Sequence, residues 1–190
     1  MVIGICRFVK NVPTEKSAKT LEMSTQGMIY LVGKRTGTEQ FATARGIHML
    51  ERFYPDNEAC SAYGIDYKGL YAKGYRGIIF DIDNTLVPHG APADERAADL
   101  FERLRGLGFR TMLLSNNKEP RVRPFAEKVG SKYLFQAGKP GRAGYERAME
   151  LMGTCPDTTL FVGDQLFTDV WGAKRAGIVT YLVKPIHPKE

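Results

Sequence analysis

The sequence predicts an α/β fold in which a doubly wound, parallel sheet carries helices on both faces. Three observations predict this fold. Short apolar runs recur along the chain, segments with helical spacing separate them, and glycines stand where those segments end. Continuous apolar runs are typical of parallel strands buried on both faces, and right-handed crossovers between them favour a doubly wound sheet.

Five short apolar runs account for the predicted strands. In chain order they are Gly77–Phe80, Phe109–Leu114, Tyr133–Gln136, Leu160–Gly163 and Ile178–Val183. Each run is bounded by polar residues or glycine, which is typical of a buried strand.

Helices are predicted before and between these strands. Asp66 has the chemistry of an N-cap for a short first helix, which Gly74 ends. Pro140 suits the first turn of a later helix. The helices after the first are predicted over residues 93–104, 122–129, 140–152 and 168–176.

The organised pattern begins near Met49. Residues 1–48 carry seven Lys or Arg and three Glu, a net charge of +4, and they show no sustained strand or helix period. We therefore predict a poorly ordered basic N-terminal extension over residues 1–48 and one folded domain over residues 49–190.

The composition excludes several classes of protein. With 43% hydrophobic and 25% charged residues, the chain is ordinary for a globular domain. Its apolar stretches fall far short of the ~18–20 residues needed to cross a bilayer. Three distant cysteines fit neither a disulfide framework nor a zinc site, so we expect reduced thiols and a cytoplasmic protein. The net charge of +6 comes without an aromatic-basic platform or a recognition helix, so no nucleic-acid partner is expected.

Polar and charged residues collect just past the carboxyl ends of four predicted strands. In chain order these clusters are Asp81–Thr85, Ser115–Asn117, Gly138–Pro140 and Gly163–Asp169. Ligands of doubly wound sheets bind beyond the carboxyl ends of the strands, so we expect the four clusters to form one site.

The first cluster indicates a metal ion. Asp81 and Asp83 lie two residues apart at one strand end, where two carboxylates repel each other unless a positive charge separates them. Mg²⁺ typically binds one or two carboxylates together with phosphate and water. Asp164 adds a third carboxylate if its strand lies beside the first. An isolated pair of this kind is equally typical of turn aspartates, and the coincidence of four clusters favours the metal site.

Lys139 and Ser115 indicate an anionic ligand. The predicted helix N-terminus beside Lys139 disfavours a cation unless both face an anion. Ser115 offers a hydroxyl group, and the residues after it offer backbone N–H groups. Each residue alone would be ordinary in a loop. Together with a metal, these groups are what phosphoryl transfer requires, and an aspartate can serve as its nucleophile.

The four clusters resemble, in order, the motifs of the haloacid dehalogenase (HAD) phosphatase superfamily. The residues that carry the resemblance are Asp81-Ile82-Asp83-Asn84-Thr85-Leu86-Val87, Ser115-Asn116-Asn117, Lys139-Pro140 and Gly163-Asp164-Gln165-Leu166-Phe167-Thr168-Asp169. The similarity is strongest to subgroup IIIA, which includes YqeG-type and phosphatidylglycerophosphate-phosphatase-like proteins. It covers roughly residues 49–183, and it implies a capless, HAD-like Rossmannoid sheet with strand order 3-2-1-4-5.

The resemblance also implies a Mg²⁺-dependent phosphomonoester hydrolase that works through an aspartyl-phosphate. The metal would be held by two carboxylates and one backbone carbonyl. The implied roles are nucleophile for Asp81, general acid/base for Asp83, phosphate binding for Ser115, Asn116 and Lys139, metal binding for Asp81, Asp164 and the carbonyl of Asp83, and support for Thr85 and Asp169.

Access to the site bears on the substrate. Each gap between the first three clusters holds one helix and one strand and leaves no room for a cap domain, so the site is open to a bulky or surface-bound phosphate. Residues 53–75 hold six aromatics, and amphipathic rings and basic charge favour anionic membrane interfaces. The tyrosines among them are somewhat more typical of a short helix packed on the sheet. With the resemblance, we expect a phosphorylated, lipid-linked substrate, with phosphatidylglycerophosphate favoured, and peripheral contact with a membrane surface.

Three other functions stay open on the sequence alone. A phosphatase of another bulky or soluble phosphoester fits the same residues, and so does a binding domain without turnover. A phospho-acceptor signalling domain also uses carboxylates, a hydroxyl and a lysine, but its acceptor aspartate follows the third strand and its lysine follows the fifth. Asp83, two residues after Asp81, offers an acid/base that favours turnover.

Overall fold

Six parallel strands form a single sheet in the computed structural model, which describes residues 53–187. The strands are β1 (Asn57–Ala59), β2 (Gly77–Phe80), β3 (Arg110–Leu114), β4 (Lys132–Leu134), β5 (Thr159–Gly163) and β6 (Val179–Val183). Their spatial order is β1-β6-β5-β2-β3-β4, and every neighbouring pair is parallel. The predicted α/β class and the predicted order of the five apolar strands are confirmed.

The edge strand β1 is the strand that the sequence did not predict. Its three residues, Asn57, Glu58 and Ala59, show no apolar run because an edge strand buries little. Side-chain bonds hold it instead. The Asp56 N–H donates to Thr180 Oγ1 at 3.0 Å, and the Asp56 carboxylate accepts from the Thr180 N–H at 2.9 Å.

Helices cover both faces of the sheet. They are α1 (Tyr67–Ala72), α2 (Glu95–Leu107), α3 (Glu119–Val129), α4 (Arg142–Met152) and α5 (Trp171–Arg175). The predicted cap of α1 is present, since the Asp66 carboxylate accepts from the Gly69 N–H at 3.0 Å. Gly108 ends α2 at a φ of 94°, a conformation that glycine adopts without strain.

Successive side chains of β2 point to opposite faces of the sheet and pack into two separate layers of the core. Ile78 and Phe80 face the layer that α1, α2 and α3 cover. Ile79 faces the opposite layer, where α4 and α5 supply residues such as Tyr145 and Ala173. All three strand residues are fully buried, which is why this strand reads as a continuous apolar run.

Two predicted helix starts were wrong. The helix after Lys139 begins at Arg142 rather than Pro140, and Gly141 is its N-cap. The helix predicted over residues 168–176 is instead a π-helical turn, Leu166–Val170, that runs into α5. Both departures lie in loops at the carboxyl edge of the sheet, where contacts between loops outweigh helix propensity.

The predicted extension over residues 1–48 lies outside the described residues, so the boundary at Met49 stays a prediction. Within residues 53–187, none of the helices combines the length and the apolar character that a membrane crossing requires.

Replacing Asp56 with alanine should destabilise the fold in a pH-dependent way. Partial burial raises the pKa of Asp56, but hydrogen bonds from Lys174 and Thr180 outweigh burial and lower it below its ordinary value. A carboxyl group with a lowered folded-state pKa stabilises the fold above its unfolded pKa of about 3.9, and that contribution is lost as the pH falls through the folded value. Because the Asp56 side chain is 36% exposed, we expect a loss of only about 1 kcal/mol at pH 7.

Urea unfolding of the wild type and of Asp56→Ala at pH 7 and at pH 3 measures this loss. Asp99→Ala, at an exposed position on α2, is the control. A stability difference that is equally large at both pH values would contradict the assigned role of the carboxylate.

Candidate active site

The sheet order places the four predicted clusters around the end of β2. Phe80, the last residue of β2, aligns with Leu113 of β3 on one side and with Val162 of β5 on the other. Asp81 therefore lies between the loop that begins at Ser115 and the loop that begins at Asp164. This common edge explains how residues more than eighty positions apart in the chain come to share one site.

Lys139 is the charged centre of the site. Its ammonium group lies 2.6 Å from Asp81 Oδ1 and 2.7 Å from Asp169 Oδ1. The lysine side chain is 4% exposed, and Asp169 is 1% exposed. Burial alone lowers the pKa of Lys139, but the two carboxylates outweigh it and raise the pKa above its ordinary value, so the ammonium stays charged.

The lysine is positioned by a side chain rather than by a helix terminus. Because α4 begins only at Arg142, Lys139 does not lie in the first turn of that helix, as the sequence had suggested. Asn116 holds it instead: Oδ1 accepts from the Lys139 N–H at 2.8 Å, and Nδ2 donates to the Lys139 carbonyl at 3.0 Å. The predicted phosphate contact of Asn116 therefore stays a prediction for its backbone N–H.

Three carboxylates converge beside the lysine. One oxygen from each of Asp81, Asp164 and Asp169 lies within 4.8 Å of the others. The Thr85 hydroxyl lies 3.5 Å from Asp81 Oδ2 and 3.4 Å from Asp164 Oδ1. Together with the Thr85 hydroxyl, the three carboxylates form a donor set made entirely of oxygen. This arrangement fits a hard divalent cation.

Burial raises the pKa of Asp81 to about 6, although the Lys139 ammonium opposes that shift. The neighbouring Asp169 carboxylate adds to the increase. A cation bound on the other side of Asp81 would favour its charged form.

Asp169 reaches the lysine because a glycine lies under it. A Cβ atom at Gly163 would lie 2.5 Å from Asp169 Oδ2, a distance that real side chains do not tolerate. The Gln165 N–H also donates to Asp169 Oδ2 at 3.1 Å. The π-helical turn over Leu166–Val170 thus folds back onto the end of β5 and directs Asp169 to Lys139.

Ser115 is buried at the end of β3, and its Oγ accepts from the Asn117 N–H at 3.2 Å. The Ser115 carbonyl accepts from the Ala137 N–H at 3.0 Å, which ties this loop to the segment leading to Lys139. Because the Ser115 hydroxyl accepts the bond from Asn117, its own proton can be donated to another group. The predicted contact between Ser115 and phosphate stays a prediction.

Asp83 is bound by different residues from those that contact the three clustered carboxylates. The Arg121 guanidinium lies 2.9 Å from Asp83 Oδ1, and the Asn117 amide donates to Asp83 Oδ2 at 2.6 Å. Burial raises the pKa of Asp83, but the bonds from Arg121 and from the Gly90 N–H outweigh it and lower the pKa below its ordinary value. Asp83 is therefore a carboxylate at neutral pH.

Sequence reasoning missed Arg121, although a signal was present. Arg121 lies in the first turn of α3, where the helix macrodipole disfavours a cation. A cation in the first turn of a helix is favoured only when it faces an anion, and Asp83 is that anion for Arg121.

An apolar groove of about 660 Å³ adjoins the Asp164 side of the site. It lies between the ends of β1 and β6 and the loop after β5, and Asp164 and Gln165 form part of its wall. Leu166 is 42% exposed and Phe167 68% exposed on that loop. The groove thus offers apolar surface beside Asp164.

The aromatics that suggested a membrane surface do not form one patch. Tyr67 is buried, and Tyr63, Tyr71 and Tyr75 pack partly buried against the core. Phe53 instead packs near Phe167, with ring centroids 5.7 Å apart. The alternative, in which the tyrosines pack on the sheet, is therefore confirmed for these four residues, whereas Tyr54 is exposed. Leu166 and Phe167 add exposed apolar surface on the loop after β5.

Comparison with known proteins agrees with this fold. A model of haloacid dehalogenase-like hydrolases matches residues 89–177. A Bacillus subtilis protein named probable phosphatase YqeG is 36% identical over 140 residues, which are 73% of this chain and 81% of that protein. The Arabidopsis thaliana protein named phosphatidylglycerophosphate phosphatase 1, chloroplastic/mitochondrial, is 26% identical over 142 residues, which are 66% of this chain but only 39% of that protein.

Among solved structures, an uncharacterized protein from Corynebacterium glutamicum superposes with a TM-score of 0.50 at 24% identity, over 58% of this chain and 86% of that chain. At this identity the likeness shows the fold alone. Fold, site and sequence relatives together define a phosphatase. The chain belongs to the haloacid dehalogenase-like hydrolase family.

Replacing Lys139 with methionine should destabilise the protein strongly, because Asp81 and Asp169 would be left buried without a counter-charge. Removing one partner of a buried ion pair costs about 3–5 kcal/mol. The measurement is urea unfolding at pH 8 without divalent cations.

The matched control is Lys128→Met, since Lys128 pairs with Glu95 on the surface at 2.6 Å with both side chains well exposed. We expect its unfolding midpoint to stay nearly unchanged. Equal midpoints for the two variants would contradict the central role of Lys139.

Proposed function

We propose that this phosphatase is a Mg²⁺-dependent phosphomonoester hydrolase that forms an aspartyl-phosphate on Asp81. The observation that carries the proposal is the pairing of Asp81 with Lys139 at 2.6 Å, inside a cluster that also contains Asp164 and Asp169. A carboxylate nucleophile, a fixed cation and further oxygen ligands are the parts that phosphoryl transfer through a covalent intermediate requires.

Mg²⁺ would be held by the carboxylates of Asp81 and Asp164 and by the backbone carbonyl of Asp83. When bound, it would offset the negative charge of the phosphoryl group. Asp81 Oδ1 faces Lys139, while Oδ2 lies on the side of Thr85 and Asp164. These contacts support a division in which the lysine orients one oxygen of the nucleophile and leaves the other side to the cation.

The chain's own residues supply the remaining chemistry. The Asp81 carboxylate attacks phosphorus, and the bond from phosphorus to the leaving oxygen breaks. Asp83 donates to that oxygen a proton that it has taken up from solvent, and it receives a proton from the attacking water in the next step. Ser115, the Asn116 N–H and the Lys139 ammonium bind the phosphoryl oxygens. Water then attacks the phosphorylated Asp81, which regenerates its carboxylate and releases inorganic phosphate.

The favoured substrate is a lipid-linked phosphate, with phosphatidylglycerophosphate as the first candidate. Two of the relatives carry the name of that activity, and the match spans 39% and 49% of their lengths. The groove beside Asp164, with exposed Leu166 and Phe167, supports an apolar group next to the scissile phosphate. A peripheral contact with anionic membranes follows from this substrate and from the net charge of +6.

A soluble phosphoester remains the second candidate substrate. Each described connection between β2 and β4 holds one helix and no cap domain, so this edge of the site is open. An open site admits a small soluble phosphoester as readily as a large one. A signalling domain without turnover fits less well, since Asp83 lies in the same loop as Asp81 and offers the acid/base that turnover needs.

Asp81→Asn should abolish phosphate release while the fold is kept, because it removes the nucleophilic charge and preserves the side-chain shape. Asp83→Asn should lower turnover by about 10²–10⁴-fold, the usual contribution of general acid/base catalysis. Phosphate release with Mg²⁺ from a contaminant-free preparation measures both. Near-normal turnover by Asp81→Asn would overturn the assignment of the nucleophile.

Phe167→Ser should lower phosphate release from phosphatidylglycerophosphate in anionic liposomes by about tenfold or more, because burying a phenylalanine side chain stabilises binding by about 1.5–3 kcal/mol. Turnover of glycerol phosphate should stay unchanged. Phe135→Ser is the matched control, since Phe135 is 40% exposed and follows β4, at the sheet edge away from the groove. If soluble esters are hydrolysed far better than the lipid and liposomes are not bound, the lipid assignment fails while the phosphatase stands.

A further inference from the structure

The carboxylate of Asp83 is held by hydrogen-bond donors from three separate points of the chain. Oδ1 accepts from the Gly90 N–H at 2.8 Å and from Arg121 Nη2 at 2.9 Å. Oδ2 accepts from Asn117 Nδ2 at 2.6 Å. The Asp83 side chain is only 12% exposed. Three donors on two oxygens fix both the position and the rotation of this carboxylate.

The two side-chain donors are themselves fixed. Arg121 lies in the first turn of α3, is 22% exposed, and packs over Phe125 at 5.7 Å. The Asn117 N–H donates to Ser115 Oγ, and its carbonyl accepts from the Gln136 N–H at 2.9 Å. The loop after β3 thus presents Ser115 to the site and supports Asp83 at the same time.

Oδ1 accepts two hydrogen bonds, whereas Oδ2 accepts only the bond from Asn117. Because a carboxylate oxygen has two lone pairs, the second lone pair of Oδ2 is left to accept a proton, and the three donors fix the direction in which it points. In the two-step reaction, a proton acceptor is needed when water attacks the phosphorylated nucleophile.

We propose that Arg121 and Asn117 are positioning residues that hold Asp83 as the proton acceptor for hydrolysis of the aspartyl-phosphate on Asp81. In that step the bond from water oxygen to phosphorus forms and the bond from phosphorus to Asp81 breaks. The proton of the water passes to Asp83, and phosphate leaves. The inference rests on the proposed function, because it presupposes the covalent intermediate.

The two steps of the reaction separate this role from a merely structural one. An aryl phosphate with a good leaving group, such as p-nitrophenyl phosphate, phosphorylates Asp81 without a proton donor. Its kcat/KM reports the steps up to loss of the leaving group, whereas kcat includes hydrolysis of the intermediate. Loss of the positioned acceptor therefore lowers kcat and KM together and leaves kcat/KM unchanged.

Arg121→Gln and Asn117→Ala test the proposal in the full chain with Mg²⁺ and p-nitrophenyl phosphate. We expect kcat to fall about 10–10²-fold in Arg121→Gln, as misplacement of a catalytic group by about 1 Å does, with kcat/KM within about twofold of the wild type. Rapid mixing should reveal a burst of one p-nitrophenol per site, and quenched samples should retain phosphate on Asp81. Arg121→Lys keeps a cation and should recover part of the loss.

Arg123→Gln is the matched control, since Arg123 lies on the same helix and pairs with exposed Glu127 at 2.8 Å. It should behave as the wild type. A parallel fall of kcat and kcat/KM in Arg121→Gln, or no change in either, would overturn the positioning role. If the wild type releases no phosphate from any monoester, or if Asp81→Asn keeps its turnover, the proposed function itself fails, and these results differ from those that reject Arg121 alone.

Discussion

A buried ammonium between two buried carboxylates is the interaction on which the rest of this structure depends. Lys139 lies within 2.7 Å of both Asp81 and Asp169, and none of the three charges is well solvated. Each of them is tolerable in the interior only because the others are present. The loops that carry them must therefore meet at one place, and the requirement fixes the ends of β2 and β5 and the approach to α4.

The remaining features of the site divide around this ion pair. On the β5 side, Asp164 and Thr85 add oxygen atoms to the free face of Asp81, and the apolar groove begins there. On the β3 side, Asp83 is held by Arg121 and Asn117. The proposed cation site and the apolar groove thus lie on one side, and the carboxylate proposed for proton transfer lies on the other. The central strand β2 lies between the two sides, and the loop after it carries both Asp81 and Asp83.

Much of the fold and of the site was readable from local sequence. The five apolar runs located five strands, the family resemblance implied their spatial order, and the four polar clusters do meet at one edge of the sheet. Prediction failed where the local sequence carried no apolar pattern or where tertiary contacts outweighed helix propensity. Strand β1 has no apolar run, and the helix expected at Pro140 begins only at Arg142, after a segment in which Asn116 bonds the backbone of Lys139. The tyrosines of residues 63–75 pack on the core because α1 lies against the sheet.

By itself the sequence determined which residue types follow which strands, because apolar periodicity and the chemistry of Asp, Ser and Lys are local properties. Only the tertiary structure decided which of these residues contact each other. Lys139 meets Asp81 across 58 positions, Arg121 meets Asp83 across 38, and Asp56 meets Thr180 across 124. Such contacts depend on the order of the strands and the path of each loop. The strand order and the loop paths arise from the packing of the whole domain. A buried charge or hydrogen-bond donor pairs with whichever residue that packing places beside it, however distant in sequence.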